Sequence, residues 1–223
     1  MRAAILLNIS SDYSYRKIIF SDIDGVSVIE KVYENVENVF DEANIVGGGE
    51  LYDEVTEFLG VEGIRDEYEE PYFLSNLAIA IRKLGDVFVF SPNMPCINRR
   101  FVEVLIRIWR PGGYLIVAPC WQDNSVVYGQ AIYSKLLIKD IEQLIEAKKD
   151  ISDLYDLHPD KTYVLYLDRL PIAYTSSTVT IDNEEDLKMF KELLGVKDSL
   201  EYACKEMFKE LYLRRSRRFF SPS

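Results

Sequence analysis

Three short stretches of this chain, residues 3–7, 87–90 and 114–117, are apolar or aromatic at every position, and segments of helical period separate them. A strand with one wet face alternates apolar and polar residues, so an uninterrupted apolar run belongs to a strand buried on both faces. A parallel sheet meets that requirement when its crossover helices cover both sides.

The segments between the runs supply such helices. Ser27 is a suitable N-cap with Glu30 three residues on, and Val28, Val32, Val36 and Val39 follow at near-helical spacing. A short strand over 44–46 stops at Gly47, Gly48 and Gly49, after which Leu51, Val55, Phe58 and Leu59 mark another helix. Leu74, Leu77, Ala78, Ile81 and Leu84 form a third that ends at Gly85, and Phe101, Val104, Leu105 and Ile108 repeat the pattern up to Pro111. Residues 8–17 have no periodicity of either kind and read as loop. Further on, 133–148 reads as a helix with Leu136, Leu137, Ile141, Leu144 and Ile145 on one face, and 163–167 and 178–181 read as strands. Two closing helices carry Leu187, Phe190 and Leu194, then Leu200, Cys204, Met207, Phe208 and Leu211. The expected fold is α/β, a doubly wound and mostly parallel sheet with helices on both faces. One domain over 1–195 is expected, followed by a C-terminal helix and basic tail over 196–223.

The formal net charge of -11 disfavours nucleic acid and anionic membrane as partners, so an anionic ligand has to be met by local donors. No apolar run approaches the roughly 20 residues that span a bilayer, and the apolar start is too short for a signal peptide, so a cytoplasmic protein is expected. Cys96, Cys120 and Cys204 are odd in number and far apart, which argues for buried free thiols over a disulfide framework or a zinc knuckle.

At the end of the run 87–90 the chain reads Ser-Pro-Asn-Met-Pro over 91–95, delivering Asn93 to the carboxyl end of a strand, where open α/β folds carry their chemistry. This segment resembles the Gly-Asp-Met-Pro of the MobA-like nucleotidyltransferases. Four other pieces resemble that family in the same order: the strand and loop 4–11 with Lys17 and then 23–29; residues 45–49 closing the second strand; 70–79; and 129–133, read as a short turn before a helix, together with 180–187. The likeness runs over about residues 3 to 194.

The resemblance implies a magnesium-dependent transfer of a nucleotidyl group from GTP or CTP to a phosphorylated acceptor such as molybdopterin, with pyrophosphate released. By position it implies nucleotide contacts from Asn8, Ser10, Ser11 and Arg16 on the triphosphate side and from Ser75 and Asn76 beside the base. It implies a catalytic Lys17, and Asn93 and Asp182 around a magnesium ion. Two departures bear on the chemistry. Ile9 stands in a loop that is glycine-rich in the family, and a branched side chain there crowds the approach of backbone N–H groups to phosphate. Asn93 replaces the family's metal-binding aspartate, and a neutral amide oxygen leaves the charge of the ion uncompensated. The altered pair leaves a second reading open, a non-catalytic relative that binds a nucleotide or another protein. Lys17 also reads as a surface lysine, Asn93 as a cap on a strand-end turn, and Asp182 as a helix-flanking acid.

Other candidates carry less. His158 is a loop histidine with no second histidine for a metal site. Asp66, Glu67, Glu69 and Glu70 read as a solvated acidic loop, and Trp121 to Asn124 as either a pocket wall or a surface loop anchored by one aromatic. The arginines at 214, 215, 217 and 218 read as a solvated terminus or as a surface for RNA or an acidic protein partner.

Overall fold

A computed structural model describes residues 1–7, 13–68 and 72–220. The chain begins with β1 (Arg2–Leu6), α1 (Tyr13–Ile19), a small hairpin of β2 (Asp22–Ile23) and β3 (Val26–Ser27), and α2 (Val28–Glu37). Next come β4 (Ala43–Gly47), α3 (Gly49–Leu59), β5 (Ile64–Arg65), α4 (Phe73–Leu84), β6 (Val87–Phe90) and α5 (Arg99–Gly112). The second half holds β7 (Ile116–Cys120), β8 (Gln130–Tyr133), α6 (Ile138–Glu146), α7 (Ile151–Leu157) and β9 (Thr162–Tyr166). It closes with α8 (Ile172–Thr175), α9 (Glu184–Lys197) and α10 (Leu200–Phe220).

The main sheet has seven strands in the order β5-β4-β1-β6-β8-β7-β9. All its pairings are parallel except those of β8, which lies antiparallel to β6 and β7. The doubly wound, mostly parallel α/β fold read from the apolar runs is therefore present. Alternate residues of each strand feed two separate cores. Ala3, Ile5, Phe88 and Phe90 join one cluster, roofed by α2, α5, α9 and α10, while Ala4, Leu6, Val87 and Val89 join the other, under α4, α6 and α7. Both faces of a strand are dry, which is why the runs show no alternation.

Local signals act as expected at several helix ends. Ser27 and Glu30 close a capping box on α2, and Gly85 ends α4 at φ 83°. Four expectations need correction. The stretch ending at Lys17 is not all loop, because α1 occupies Tyr13–Ile19; among its side chains that are described only Ile18 and Ile19 are buried, too few apolar positions to register a period. Residues 178–181 are not a strand: a 3₁₀ turn ends at Thr178, and the extended piece that follows bonds to the loop after β6 instead of to a strand. Residues 130–133, read as a turn and the start of a helix, form β8. The helix starts at Ile138 behind a 3₁₀ turn, and Leu136 on that turn is 69% exposed.

The fourth correction concerns the cysteines. Cys96, after β6, and Cys204, on α10, form a disulfide across 108 residues of sequence, and both lie in the core. Only Cys120 is a free buried thiol, and burial pushes its pKa up to about 11. The α10 residues Ala203, Cys204, Met207 and Phe208 are buried in the same cluster as β1 and β6.

Gly129, just before β8, accepts a hydrogen bond at 2.7 Å from the Ser91 N–H, and a Cβ built on it would lie 2.8 Å from the Ser91 Cβ and overlap the Ser91 hydroxyl. Gly129→Ala is expected to cost about 2 kcal/mol through this overpacking. Urea unfolding checks it, and an unchanged midpoint would mean that the loop after β6 moves aside freely.

Candidate functional site

The strand order sets where ligands can sit. From β1 the chain passes to β4 on one side and later to β6 on the other, so a crevice opens at the carboxyl ends of β1 and β6. Asn93 stands three residues past the end of β6 and is 6% exposed. Its Nδ2 donates to the Ile181 carbonyl at 3.2 Å and to Asp182 Oδ1 at 2.9 Å, and its own carbonyl accepts from the Ile181 N–H at 3.0 Å. Two acceptors for one amide nitrogen fix which way the side chain points. The other Asp182 oxygen accepts from the Thr180 hydroxyl at 2.9 Å, and Asp182 itself is exposed. Burial, with the charge of Asp182 second, pushes the Tyr15 hydroxyl pKa upward and keeps it protonated beside this pair.

The structure thus brings together Asn93 and Asp182, the pair that the family resemblance implies around a metal, by a direct hydrogen bond. Magnesium is commonly held by one or two carboxylates, with waters and substrate phosphates filling the other positions. One free lone pair on each Asp182 oxygen and the Asn93 Oδ1 fit a metal held mainly by substrate. No cluster of three acidic, histidine or cysteine side chains that could hold a metal unaided occurs among the described residues.

Lys17 and Arg16 lie on α1. Lys17 Nζ meets Glu184 Oε1 at 2.6 Å, at the start of α9, and Arg16 pairs with Glu54 and, at 3.8 Å, Glu50. Asn8, Ser10 and Ser11 lie outside the described residues, as do Glu69, Glu70 and Pro71. Ser75 is buried and its hydroxyl caps α4, accepting from the Tyr72 N–H at 2.8 Å and donating to the Tyr72 carbonyl at 2.9 Å. Asn76 is also buried, and its Nδ2 donates at 2.8 Å to the Leu7 carbonyl at the end of β1.

Asp66 is a residue that the sequence misplaces. It is 4% exposed, where a solvated acidic loop was expected, because its N–H extends the β4–β5 pairing by donating to the Gly47 carbonyl at 2.6 Å. Asp66 Oδ1 accepts from the Tyr68 N–H, while Asp66 Oδ2 and Asn76 Oδ1 are buried with no partner among the described residues. A buried oxygen without a donor costs about 1–3 kcal/mol, a cost that a donor-bearing ligand removes. The sequence signal was only Asp66 at the mouth of a short strand.

Beside Asn93 a cleft of about 460 Å³ is lined by Phe73, Met94, Trp121 and Tyr128, and by Asp182 and Arg215. Trp121 is a pocket wall, 4% exposed and stacked on Phe208 of α10. The arginines of α10 fold back: Arg214 meets Asp186 Oδ1 at 3.2 Å and Glu185 at 3.3 Å, and Arg215 lies over Trp121. The side chains of Arg217 and Arg218 are outside the described residues. His158 bonds Asp140 at 2.9 Å, far along the chain from these groups. A cleft of about 450 Å³ at the opposite end of the strands, beside Gly85, Trp109 and Lys135, contains none of the candidate site residues.

A doubly wound sheet that opens a polar crevice at its switch point, with acceptor oxygens that have no partner among the described residues and an apolar cleft, is the frame of a nucleotide-handling transferase. The chain belongs to the MobA-like NTP transferase domain family, whose description matches residues 19–162. It is 29% identical over 169 residues to a protein of Aquifex aeolicus described as a "probable molybdenum cofactor guanylyltransferase", covering 75% of this chain and 78% of that one. A Thermococcus sibiricus protein of the same description is 27% identical over 117 residues, which cover 52% of this chain and 60% of that relative. Among solved structures the fold is similar to molybdopterin-guanine dinucleotide biosynthesis protein A of Archaeoglobus fulgidus, with a TM-score of 0.74, 18% identity, and 88% and 100% of the two chains covered. A cytidylyltransferase of Leptospira borgpetersenii gives a TM-score of 0.67 at 13% identity, covering 96% and 94%. No described helix is long and apolar enough to cross a membrane.

Proposed function

We propose that this protein transfers a nucleotidyl group from GTP to a phosphorylated acceptor such as molybdopterin. One observation carries the reading: the Asn93–Asp182 pair stands at the carboxyl edge of the sheet between two surfaces of different chemistry. On the β5-β4-β1 side, Asp66 Oδ2 and Asn76 Oδ1 have no donor among the described residues, and the edge of guanine presents adjacent N–H groups, as adenine does not. On the β8-β7 side, the apolar cleft suits the body of the acceptor. The transfer forms a bond from an acceptor phosphate oxygen to the α-phosphorus and breaks the bond to the bridging oxygen, releasing pyrophosphate. Magnesium, when bound, would neutralise phosphate charge. Asp182 and Asn93 Oδ1 would hold it. Lys17, beside Glu184, and Arg16 lie on the α1 side, where the triphosphate would run.

A non-catalytic relative remains the second reading, favoured by one feature: Asn93 spends its amide on Asp182 where a second carboxylate would serve a metal. Isothermal titration with GTP, CTP and ATP, with and without magnesium, separates the two. GTP is expected to bind in a magnesium-dependent manner and about ten-fold tighter than ATP, since a site with unpaired acceptors rejects a base lacking the donors. No metal-dependent binding of any nucleotide would leave only the non-catalytic reading.

A further inference from the structure

Arg215 is the cationic side chain in the described lining of the 460 Å³ cleft, in a chain whose net charge is -11. It is held in place from three directions. The guanidinium lies 4.8 Å above the Trp121 ring, and its Nη1 donates to the Ser125 hydroxyl at 2.6 Å and to Asp123 Oδ2 at 3.3 Å. Burial works to raise the pKa of Asp123, but the Ser125 hydroxyl and N–H together with Arg215 outweigh it and leave the carboxyl below its ordinary range. The carboxylate that orients Arg215 is therefore charged at neutral pH.

The helix that carries Arg215 is itself clamped to the β7–β8 loop. Phe208 stacks on Trp121 with ring centres 5.1 Å apart, and the Tyr212 hydroxyl donates to Gln122 Oε1 at 2.8 Å. Arg215 is thus a pre-set group on a braced wall. A guanidinium has five N–H donors in a fixed fork, and both recorded bonds use Nη1. No bond from Nε or Nη2 is made among the described residues, and that edge can take a phosphate in bidentate geometry.

We propose that Arg215 is a specificity-determining residue that grips the phosphate monoester of the acceptor, while the part of the cleft lined by Phe73 and Tyr128 receives a flat heteroaromatic body. That this phosphate belongs to an acceptor rests on the transferase reading, whereas phosphate binding at Arg215 can be measured by itself. The local charge balance supports the class. Without metal the other charged groups in the lining, Asp150 and Asp182, repel an anion, so a dianionic phosphate has one attractive place to go.

The test compares pterin-6-ylmethyl phosphate with the corresponding alcohol, titrated into the intact wild-type chain and into Arg215→Ala and Arg215→Lys, each first shown to melt as the wild type does. The wild type is expected to prefer the phosphate by about ten-fold or more. Arg215→Ala should lose that preference and keep its affinity for the alcohol, whereas Arg215→Lys should retain part of it, as a point charge without the fork. GTP affinity should not change in Arg215→Ala. Equal affinity of the wild type for the two probes, no binding of either, or a preference that survives Arg215→Ala would overturn the assignment. A ten-fold loss of GTP affinity in Arg215→Ala would also overturn it, by moving the residue to the triphosphate. A wild type that prefers the phosphate but binds no nucleotide would sink the transferase reading and leave this site standing.

Discussion

Removing the Cys96–Cys204 disulfide is expected to lower the unfolding free energy by about 4 kcal/mol. The bond closes a loop across 108 residues, so it removes a large share of the freedom that the unfolded chain would otherwise have. Its ends also join two elements that meet nowhere else in sequence. One is the loop after β6 that carries Asn93; the other is α10, which carries Arg214 and Arg215. Urea unfolding of the oxidised wild type against Cys96→Ala/Cys204→Ala measures the effect. Reductant should lower the midpoint of the wild type to near that of the variant and leave the variant unmoved. Coincident midpoints before reduction would mean that packing of Ala203, Met207 and Phe208 already holds α10 at full strength.

The fold was legible in the sequence wherever the signal was local or repeated along one element. Val28, Val32 and Val36 on α2, the Ser27–Glu30 box and the glycine after α4 each act within one or two turns, and each is where the chain places it. The failures share a cause, the decision being made by partners distant in sequence. β8 has four buried residues and no pattern of its own; it is a strand because β6 and β7 flank it. Residues 178–181 read as a strand, but the bonds of Ile181 to Asn93 take the place of a ladder. Cys96 and Cys204 give no spacing signal at a separation of 108. The site was legible in the same uneven way. Asn93 and Asp182 were legible as a pair from the order of motifs, whereas Asp66 and Arg215 each sat in a run of like charges, where a solvated surface is the ordinary reading. What distinguishes them is burial and an aromatic neighbour, and both are tertiary facts.

Asn93→Asp should make stability depend on magnesium. In the wild type, Asn93 Nδ2 donates to Asp182 Oδ1 at 2.9 Å and to the Ile181 carbonyl at 3.2 Å. A carboxylate in its place donates to neither, and it sets a second negative charge against Asp182 in a setting only 6% exposed. Without metal the loss is expected to be about 2–4 kcal/mol, from two unmade hydrogen bonds and like-charge repulsion. Part of that is recovered when one of the two carboxyls takes up a proton, so its pKa in the folded state rises above the unfolded value. The folded variant then binds more protons than the unfolded chain, and its stability falls as pH rises through that window. The deficit should therefore be smaller at low pH than at neutral pH. Magnesium reverses the sign of the interaction, because two adjacent carboxylates that repel each other can share a divalent cation. At about 10 mM magnesium the melting temperature of the variant should climb by several degrees, the shift growing with the ratio of metal to dissociation constant, while the wild type moves less. A variant that melts early and ignores magnesium would show that the Asn93–Asp182 contact is a structural clasp, with no metal position between the two side chains.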